Sequence, residues 1–153
     1  MIPQVRKLDT HESFSAHLRS LGLDLPVDEA LSPDGALAQP IAIRDGAAGE
    51  LHVPNRFAIL PMEGWDGTPD GRPTELVRRR WQRFAGGDAG LVWAEATAVC
   101  HDGRANPHQL LLDDSTVGAL AALRGLFADG QVVGLQLTHS GRYSRPDGAA
   151  APR

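Results

Sequence analysis

The feature that most constrains this chain is an alternation, after Pro54, of short apolar runs with segments of helical periodicity. Residues 57–61, 91–98 and 132–138 are the apolar runs, and each has the length and largely continuous hydrophobicity of a strand buried on both faces of a parallel sheet. The order strand, helix, strand, helix, strand predicts right-handed βαβ units. The sequence therefore predicts an α/β fold.

Two helices are predicted between these strands. The first begins with Thr74 as its N-cap and ends near Ala85, before a pair of glycines. The second is capped by Asp114 or Ser115. The residues expected to face the sheet are Leu76, Val77, Trp81 and Phe84 in the first helix, and Val117, Leu120, Leu123 or Arg124, and Phe127 in the second.

A short amphipathic helix is predicted near the N-terminus. Asp9 and Glu12 have the spacing of a capping box, and Gly22 is a C-terminal stop signal. Its expected apolar stripe consists of Phe14, Leu18 and Leu21.

An extended connector follows at 24–40, where Pro, Asp, Ser and Gly are frequent. Residues 41–43 and 50–53 then predict a small β-hairpin around a turn at 45–49. The predicted division is thus 1–40, with a helix and connector, and 41–153, with the hairpin and the βαβ units.

The parallel sheet could be open or closed, and both length and motifs bear on the choice. An open dinucleotide-binding sheet needs a Gly-rich turn after its first strand, but the sequence there is Pro61-Met62-Glu63-Gly64-Trp65. A closed (β/α)8 barrel usually needs roughly 200–250 residues, whereas the chain has 153. The dinucleotide-binding fold therefore loses its main support, and 153 residues are too few for a usual closed barrel.

Composition excludes several functional classes. The formal net charge of -4 gives no basic field for nucleic acid or anionic lipid. No run approaches the ~18 apolar residues of a membrane span, and the N-terminus lacks a signal-peptide core. Cys100 is the single cysteine, so no internal disulfide forms and a reducing compartment is expected. We expect a soluble cytoplasmic protein with no nucleic-acid or membrane partner.

Polar and small residues collect where the three strands end, which is where βα folds place reactive groups. The first strand ends in Pro61, Met62 and Glu63. The other two contribute Glu95, Ala96 and Thr97, and Gln136, Thr138 and His139. We expect these groups to meet over one ligand.

Four segments together resemble the Old Yellow Enzyme family of NADH:flavin oxidoreductases. They are NRFAILPMEGWDGTPDG, LVWAEATAV, DGRANPHQL and VVGLQLTHSGRYSRP, in the family's order, within residues 41–148. The resemblance covers the N-terminal portion of the family, so it implies a partial (β/α)8 barrel with the first three strands and two helices. It implies an eight-stranded barrel that holds FMN, takes hydride from NADH or NADPH, and passes it to an electron-poor alkene or related small-molecule acceptor.

The resemblance also implies roles for individual residues. Pro61 and Met62 would border the flavin, Ala96 would leave it space, and Gln136 would hydrogen-bond its pyrimidine edge, because an amide both donates and accepts. The family often has threonine or cysteine where this chain has Glu63, a position that tunes the flavin potential. Trp65 and Tyr143 would flank the acceptor pocket.

Each of these residues also has a plainer interpretation. Gln136 could be a hydrogen-bonded core amide, Met62 core filler, and Trp65 and Tyr143 packing residues. Glu95 is interpreted as a buried hydrogen-bond acceptor, and His139 as part of a structural, flavin-supporting turn. The arginines at 78, 79, 80 and 83 are expected on a solvated outer face, and Cys100, His101 and His108 are expected to bind no metal, for lack of further ligands.

The resemblance places the family's acceptor-anchoring and proton-donor residues in segments after Arg153, so no catalytic residue is assigned. We expect an incomplete catalytic unit. The alternatives are one half of a split enzyme, whose partner is the C-terminal barrel half, and a non-catalytic βαβ interaction module. A homo-oligomer is also compatible with the sequence.

Overall fold

The computed structural model describes residues 4–30, 32–45 and 49–149. Within them are three α-helices and two sheets, and the sheets form no closed barrel. The elements are α1 (His11–Ser20), β1 (Ile41–Asp45), β2 (Gly49–Val53), β3 (Ala58–Ile59), α2 (Glu75–Ala85), β4 (Leu91–Ala98), α3 (Val117–Arg124) and β5 (Val132–Thr138). The chain divides into two compact units, Met1–Gly35 and Ala36–Arg153.

The first unit contains α1, whose start differs from the sequence prediction. Thr10 is the N-cap, and its hydroxyl accepts the Ser13 N–H while the Ser13 hydroxyl accepts the Thr10 N–H. The prediction of a box between Asp9 and Glu12 was wrong, because the box forms one residue later with a short hydroxyl side chain at each position. Leu18 is the buried residue of the helix, whereas Leu21 is 55% exposed.

The predicted hairpin is confirmed as the antiparallel pair of β1 and β2. Ile41 pairs with Val53 at the open end and Asp45 with Gly49 at the turn end. The middle of the predicted turn, 46–48, lies outside the described residues. Val53 is the buried residue of β2, so most of the hairpin surface is exposed.

The second sheet is parallel, in the order β3, β4, β5. β4 and β5 occupy the predicted ranges. β3 does not: it has two residues where a strand over 57–61 was expected, and Phe57 and Leu60 are 52% and 72% exposed. The prediction of burial on both faces was wrong here, because β3 is an edge strand that pairs with β4 alone among the described residues.

Helices α2 and α3 cover one face of this sheet and form the core with it. Val77 and Trp81 of α2 contact the cluster that contains Val92 and Ala94 of β4. Trp81 packs edge-on against Phe127, with ring centroids 6.0 Å apart. The remaining buried members of the core are Ala89, Leu110, Leu120 and Leu123.

Two details of the helices correct the sequence prediction, and a third confirms it. Leu76 and Val117 were expected to face the sheet but are about half exposed, at 51% and 49%. Helix α3 begins after Thr116 and not after Asp114 or Ser115, because the Asp113 carboxylate accepts the N–H groups of Ser115 and Thr116. The N-cap Thr74 of α2 is confirmed, since its hydroxyl accepts the Val77 N–H.

A β-bulge interrupts β4. Trp93 pairs with Gly134 and Ala96 pairs with Gln136, so β4 uses one more residue than β5 between the two pairs. Ala94 therefore packs in the core and the next residue, Glu95, also reaches α2 through Trp81. The bulge turns two consecutive side chains toward the helices.

No described helix is both long and apolar enough to cross a lipid bilayer.

Candidate functional site

The carboxyl ends of β3, β4 and β5 lie on one edge of the sheet, because the three strands are parallel. This edge brings together the strand-end residues that the sequence singled out. Ala96 and Gln136 are direct register partners on β4 and β5. Pro61, Met62 and Glu63 follow β3 at the same edge, and Met62 is 73% exposed.

Gln136 lies on the sheet face that the helices leave uncovered. Side chains alternate along β5, and Val133 and Leu135 pack against the core. Gly134 and Gln136 consequently face the other way, and a Cβ at Gly134 would lie 3.0 Å from the Trp93 ring. Gln136 is exposed, and no described residue hydrogen-bonds its amide. The alternative interpretation of Gln136 as a partnered core amide was wrong.

Ala96 contributes little bulk to this face. It is 8% exposed and lies beside the Gln136 backbone. Beneath it, the buried amide of Gln109 donates to the Ala96 carbonyl at 3.3 Å and to the Thr138 hydroxyl at 3.1 Å. The side-chain oxygen of Gln109, Oε1, accepts the Ala105 N–H at 2.7 Å. Gln109 thus ties the ends of β4 and β5 together.

Glu95 points to the opposite, helix-covered side, as the interpretation of a buried acceptor predicted. Its side chain is 2% exposed, and Oε1 accepts from Trp81 Nε1 at 2.8 Å and from Arg80 Nη2 at 2.9 Å. Burial raises the pKa of the Glu95 carboxyl, and the hydrogen bonds from Trp81 and Arg80 oppose that rise.

Arg80 links Glu95 to the loop after β3. Its Nη1 and Nη2 donate to the two carboxylate oxygens of Asp66, at 2.7 and 3.0 Å. These hydrogen bonds lower the pKa of Asp66 and raise the pKa of Arg80. The expectation that Arg80 is solvated was wrong: its side chain is 23% exposed and paired with two acids.

Glu63 has a buried oxygen with no partner. Oε2 is inaccessible to solvent, and no described residue donates a hydrogen bond to it. A buried carboxylate oxygen without a donor is costly, so this atom is suited to an N–H or O–H donor of a ligand. Trp65, with φ +50°, and Tyr143 are exposed in the loops after β3 and β5, at 50% and 67%.

Arg104 holds the loop after β4 through its guanidinium group. The residue is fully buried, and its nitrogen atoms donate to the backbone carbonyls of Thr68, Pro69, Pro107 and Gln109. Burial lowers the pKa of Arg104. Sequence reasoning missed both Arg104 and Gln109. The one available signal was their place in the DGRANPHQL segment, since no periodicity marks a buried arginine that is bound by carbonyls.

Cys100 has the further partners that the sequence did not reveal. Its thiol lies close to a carboxylate oxygen of Asp102 and a ring nitrogen of His139, and the three atoms lie within 4.8 Å of one another. The Asp102 hydrogen bond raises the pKa of the Cys100 thiol. The statement that Cys100 lacks further ligands was therefore wrong. His101 lies apart from this cluster and is 3.8 Å from Asp147.

Curated proteins resemble about two thirds of the chain. The chain is 35% identical over 101 residues to the NADPH dehydrogenase of Geobacillus thermodenitrificans. This alignment covers 64% of the chain and 30% of that protein. The chain is 32% identical over 97 residues to the NADPH dehydrogenase of Halalkalibacterium halodurans, covering 61% and 29%. The chain thus spans about 30% of the length of these relatives.

Solved structures of the same family resemble the chain in fold. An old yellow enzyme homologue from Zymomonas mobilis superposes with a TM-score of 0.55 and 29% identity, over 71% of this chain and 29% of the other. Morphinone reductase superposes with a TM-score of 0.60 and 28% identity, over 74% and 30%. No protein-family model matches the chain.

Proposed function

We propose, on the premise that this chain is related in sequence and fold to the Old Yellow Enzyme family, that it forms part of an FMN-dependent NAD(P)H oxidoreductase. Residues 41–153 would then be the first three strands and two helices of a (β/α)8 barrel, preceded by the helix and connector of 1–40. The reductant would be NADH or NADPH, and the acceptor an electron-poor alkene.

The pairing of Ala96 with Gln136 carries this proposal. It places a small side chain next to an unpartnered amide, on the open face of the sheet and at the carboxyl ends of parallel strands. A planar ring system needs a flat, uncrowded surface and an edge group that can both donate and accept. Ala96 meets the first need, and the Gln136 amide meets the second.

The remaining residues at this edge also fit a flavin. The buried, unpartnered Glu63 Oε2 can accept a hydrogen bond from a ring N–H. The exposed Met62 offers a polarisable thioether that can contact an aromatic face. Pro61 would border the same ring, and Trp65 and Tyr143 would line the acceptor pocket from the flanking loops.

Bound FMN would supply the two-electron chemistry that accepts hydride from a nicotinamide and donates it to an alkene. The residues of this chain would bind and orient it. Gln136 would fix the ring in its plane, and Gln109 would keep the Ala96 and Gln136 backbones in register by bridging Ala96 O and Thr138 Oγ1. The Asp66, Arg80 and Glu95 network would hold the loop after β3 against α2.

Cytoplasmic localisation is part of the proposal, because a single free cysteine suits a reducing compartment. The proposed partners are the small-molecule acceptor and the remaining barrel strands, supplied by a further polypeptide segment or by a second chain.

Titration of FMN with the purified chain, followed by fluorescence anisotropy, tests the proposal. We expect saturable binding that weakens about fivefold in Gln136→Ala, which corresponds to the loss of one hydrogen bond. Gln82→Ala is the matched control, because Gln82 is exposed on α2, away from the open sheet face. Absence of saturable binding, or equal affinity in wild type and Gln136→Ala, would reject the assignment.

A further inference from the structure

Two neighbouring loops bring three metal-ligating side chains together beside the carboxyl ends of β4 and β5. Cys100 and Asp102 follow β4, and His139 follows β5 directly. The thiol, a carboxylate oxygen and an imidazole nitrogen lie within 4.8 Å of one another. Cys100 and Asp102 are half-buried and His139 is exposed, so the cluster lies near the surface.

Backbone hydrogen bonds fix these two loops to each other. Val99 N–H donates to the Thr138 carbonyl at 3.1 Å, and Ser140 N–H donates to the Gly103 carbonyl at 2.8 Å. The two bonds lie on either side of the cluster. The ligand atoms are therefore held on a common frame and not on independent loops.

Gly103 allows the side chains to converge. A Cβ at this position would lie 2.7 Å from His139 Cδ2 and 3.1 Å from Cys100 Sγ. Any larger residue would displace the imidazole or the thiol. The absence of a side chain at Gly103 thus lets the imidazole and the thiol lie close together.

We propose that Cys100, Asp102 and His139 form a binding site for a divalent transition-metal ion, for which Zn²⁺ is the best match. The set of one sulfur, one nitrogen and one oxygen ligand suits Zn²⁺, whereas Mg²⁺ and Ca²⁺ prefer oxygen ligands alone. A thiolate and a carboxylate together balance the double positive charge. Three protein ligands leave a fourth position for water or a substrate atom.

The ligand spacing is compatible with one ion after a small closure. Ligand atoms of a tetrahedral zinc site are about 3.4 to 3.6 Å apart, from the usual metal–ligand distances. Atoms at most 4.8 Å apart must therefore approach by no more than about 1.4 Å, and the proposed site supplies this movement by side-chain rotation. The backbone frame of the loops can stay unchanged.

His139 supplies a specific consequence of metal binding. Its Nδ1 accepts the Gly141 N–H at 3.0 Å. A metal on Nδ1 takes the lone pair that this bond uses, and a metal on Nε2 moves the ring proton to Nδ1. The Gly141 hydrogen bond is lost in either case, so the Gly141 amide reports on metal binding.

The test uses the full chain, purified without a histidine tag and stripped with a chelator. Titration with Co²⁺ should produce a thiolate-to-cobalt charge-transfer band that saturates at about one equivalent and disappears when Zn²⁺ is added. In Cys100→Ser the band should be absent, and zinc affinity should fall by at least about tenfold in both Cys100→Ser and Asp102→Asn. The variants' circular dichroism confirms that they fold.

His101→Ala is the matched control, since His101 adjoins Cys100 in sequence but lies outside the cluster. It should bind Zn²⁺ as the wild type does. The Gly141 amide resonance should shift on addition of Zn²⁺ to the wild type and stay in place in folded Cys100→Ser. No cobalt band in the wild type, or a zinc affinity in Cys100→Ser equal to that of the wild type, overturns the proposal whether or not FMN binds.

Discussion

Arg80 Nη2 donates to Glu95 Oε1 at 2.9 Å, so a cation of helix α2 pairs with a carboxylate of the sheet. Burial of that carboxylate without a partner would be costly. Glu95 lies behind the bulge of β4 and is 2% exposed. Arg80 also donates to both carboxylate oxygens of Asp66. The loop after β3, helix α2 and strand β4 are thus connected by charge as well as by apolar packing.

Removal of Arg80 should strongly destabilise the fold. In Arg80→Met the buried Glu95 keeps only the Trp81 N–H donor, and an uncompensated buried charge costs about 3 kcal/mol. Urea unfolding measures this loss. Arg79→Met, which alters an exposed neighbour on the same helix, should change the free energy of unfolding by less than about 0.5 kcal/mol. Equal effects of the two substitutions would contradict the role of the network.

Acid should weaken the fold through Asp66. Its pKa in the folded chain is below the ordinary value of 3.8, because Arg80 binds the ionised form. The corresponding stability is present above that ordinary value and is lost as the pH falls through the lower folded pKa. The difference in unfolding free energy between wild type and Asp66→Asn, measured by urea titration at a series of pH values, should shrink across this window. A difference that does not depend on pH would refute the role of the Asp66 carboxylate in stability.

Two glycines should respond in opposite ways to alanine. Gly103→Ala places a Cβ against the His139 ring and the Cys100 thiol, and such overpacking costs about 1 to 3 kcal/mol. Gly118→Ala, within α3, meets no atom within 4 Å and should stabilise the chain by about 0.5 to 1 kcal/mol. Thermal unfolding of both variants checks the two signs.

The purified chain should not retain stoichiometric FMN. Met62 and Gln136 are both exposed, so a flavin bound at this edge would stay largely in contact with water and dissociate during purification. The ratio of flavin to protein absorbance measures retention. A yellow, monodisperse preparation with about one flavin per chain would show that the described residues hold the cofactor far more firmly than their exposure indicates.

Much of the sheet was predictable from local pattern. The runs at 91–98 and 132–138 are long and apolar, and the structure has strands with those bounds. The run at 57–61 has similar composition but yields two paired residues, because composition does not reveal how many neighbours a strand has. The cap of α3 was misplaced for a related reason: Asp113, Asp114, Ser115 and Thr116 are all good capping residues, and the hydrogen bonds of Asp113 decide among them.

The site was predictable only in part. The sequence pattern predicted that Ala96 and Gln136 lie at one edge of the sheet, because strand ends and parallel pairing follow from the βαβ order. It did not single out Arg80, which belongs to a run of similar arginines and differs from them only in its two distant acidic partners. His139 and Cys100 lie 39 positions apart in the sequence, and only the parallel register of β4 and β5 brings them together.

The bulge in β4 divides one strand into two functional halves. Val92 and Ala94 pack in the core. Glu95 faces α2, where it binds Trp81, and Ala96 lies on the open face beside Gln136. Deleting a single residue between Trp93 and Ala96 would leave one side chain between them to face the helices, so either the Ala94 contact with the core or the Glu95 contact with Trp81 would be lost. The residue at position 96 can therefore change without disturbing the core. A change in the number of residues in β4 would disturb it.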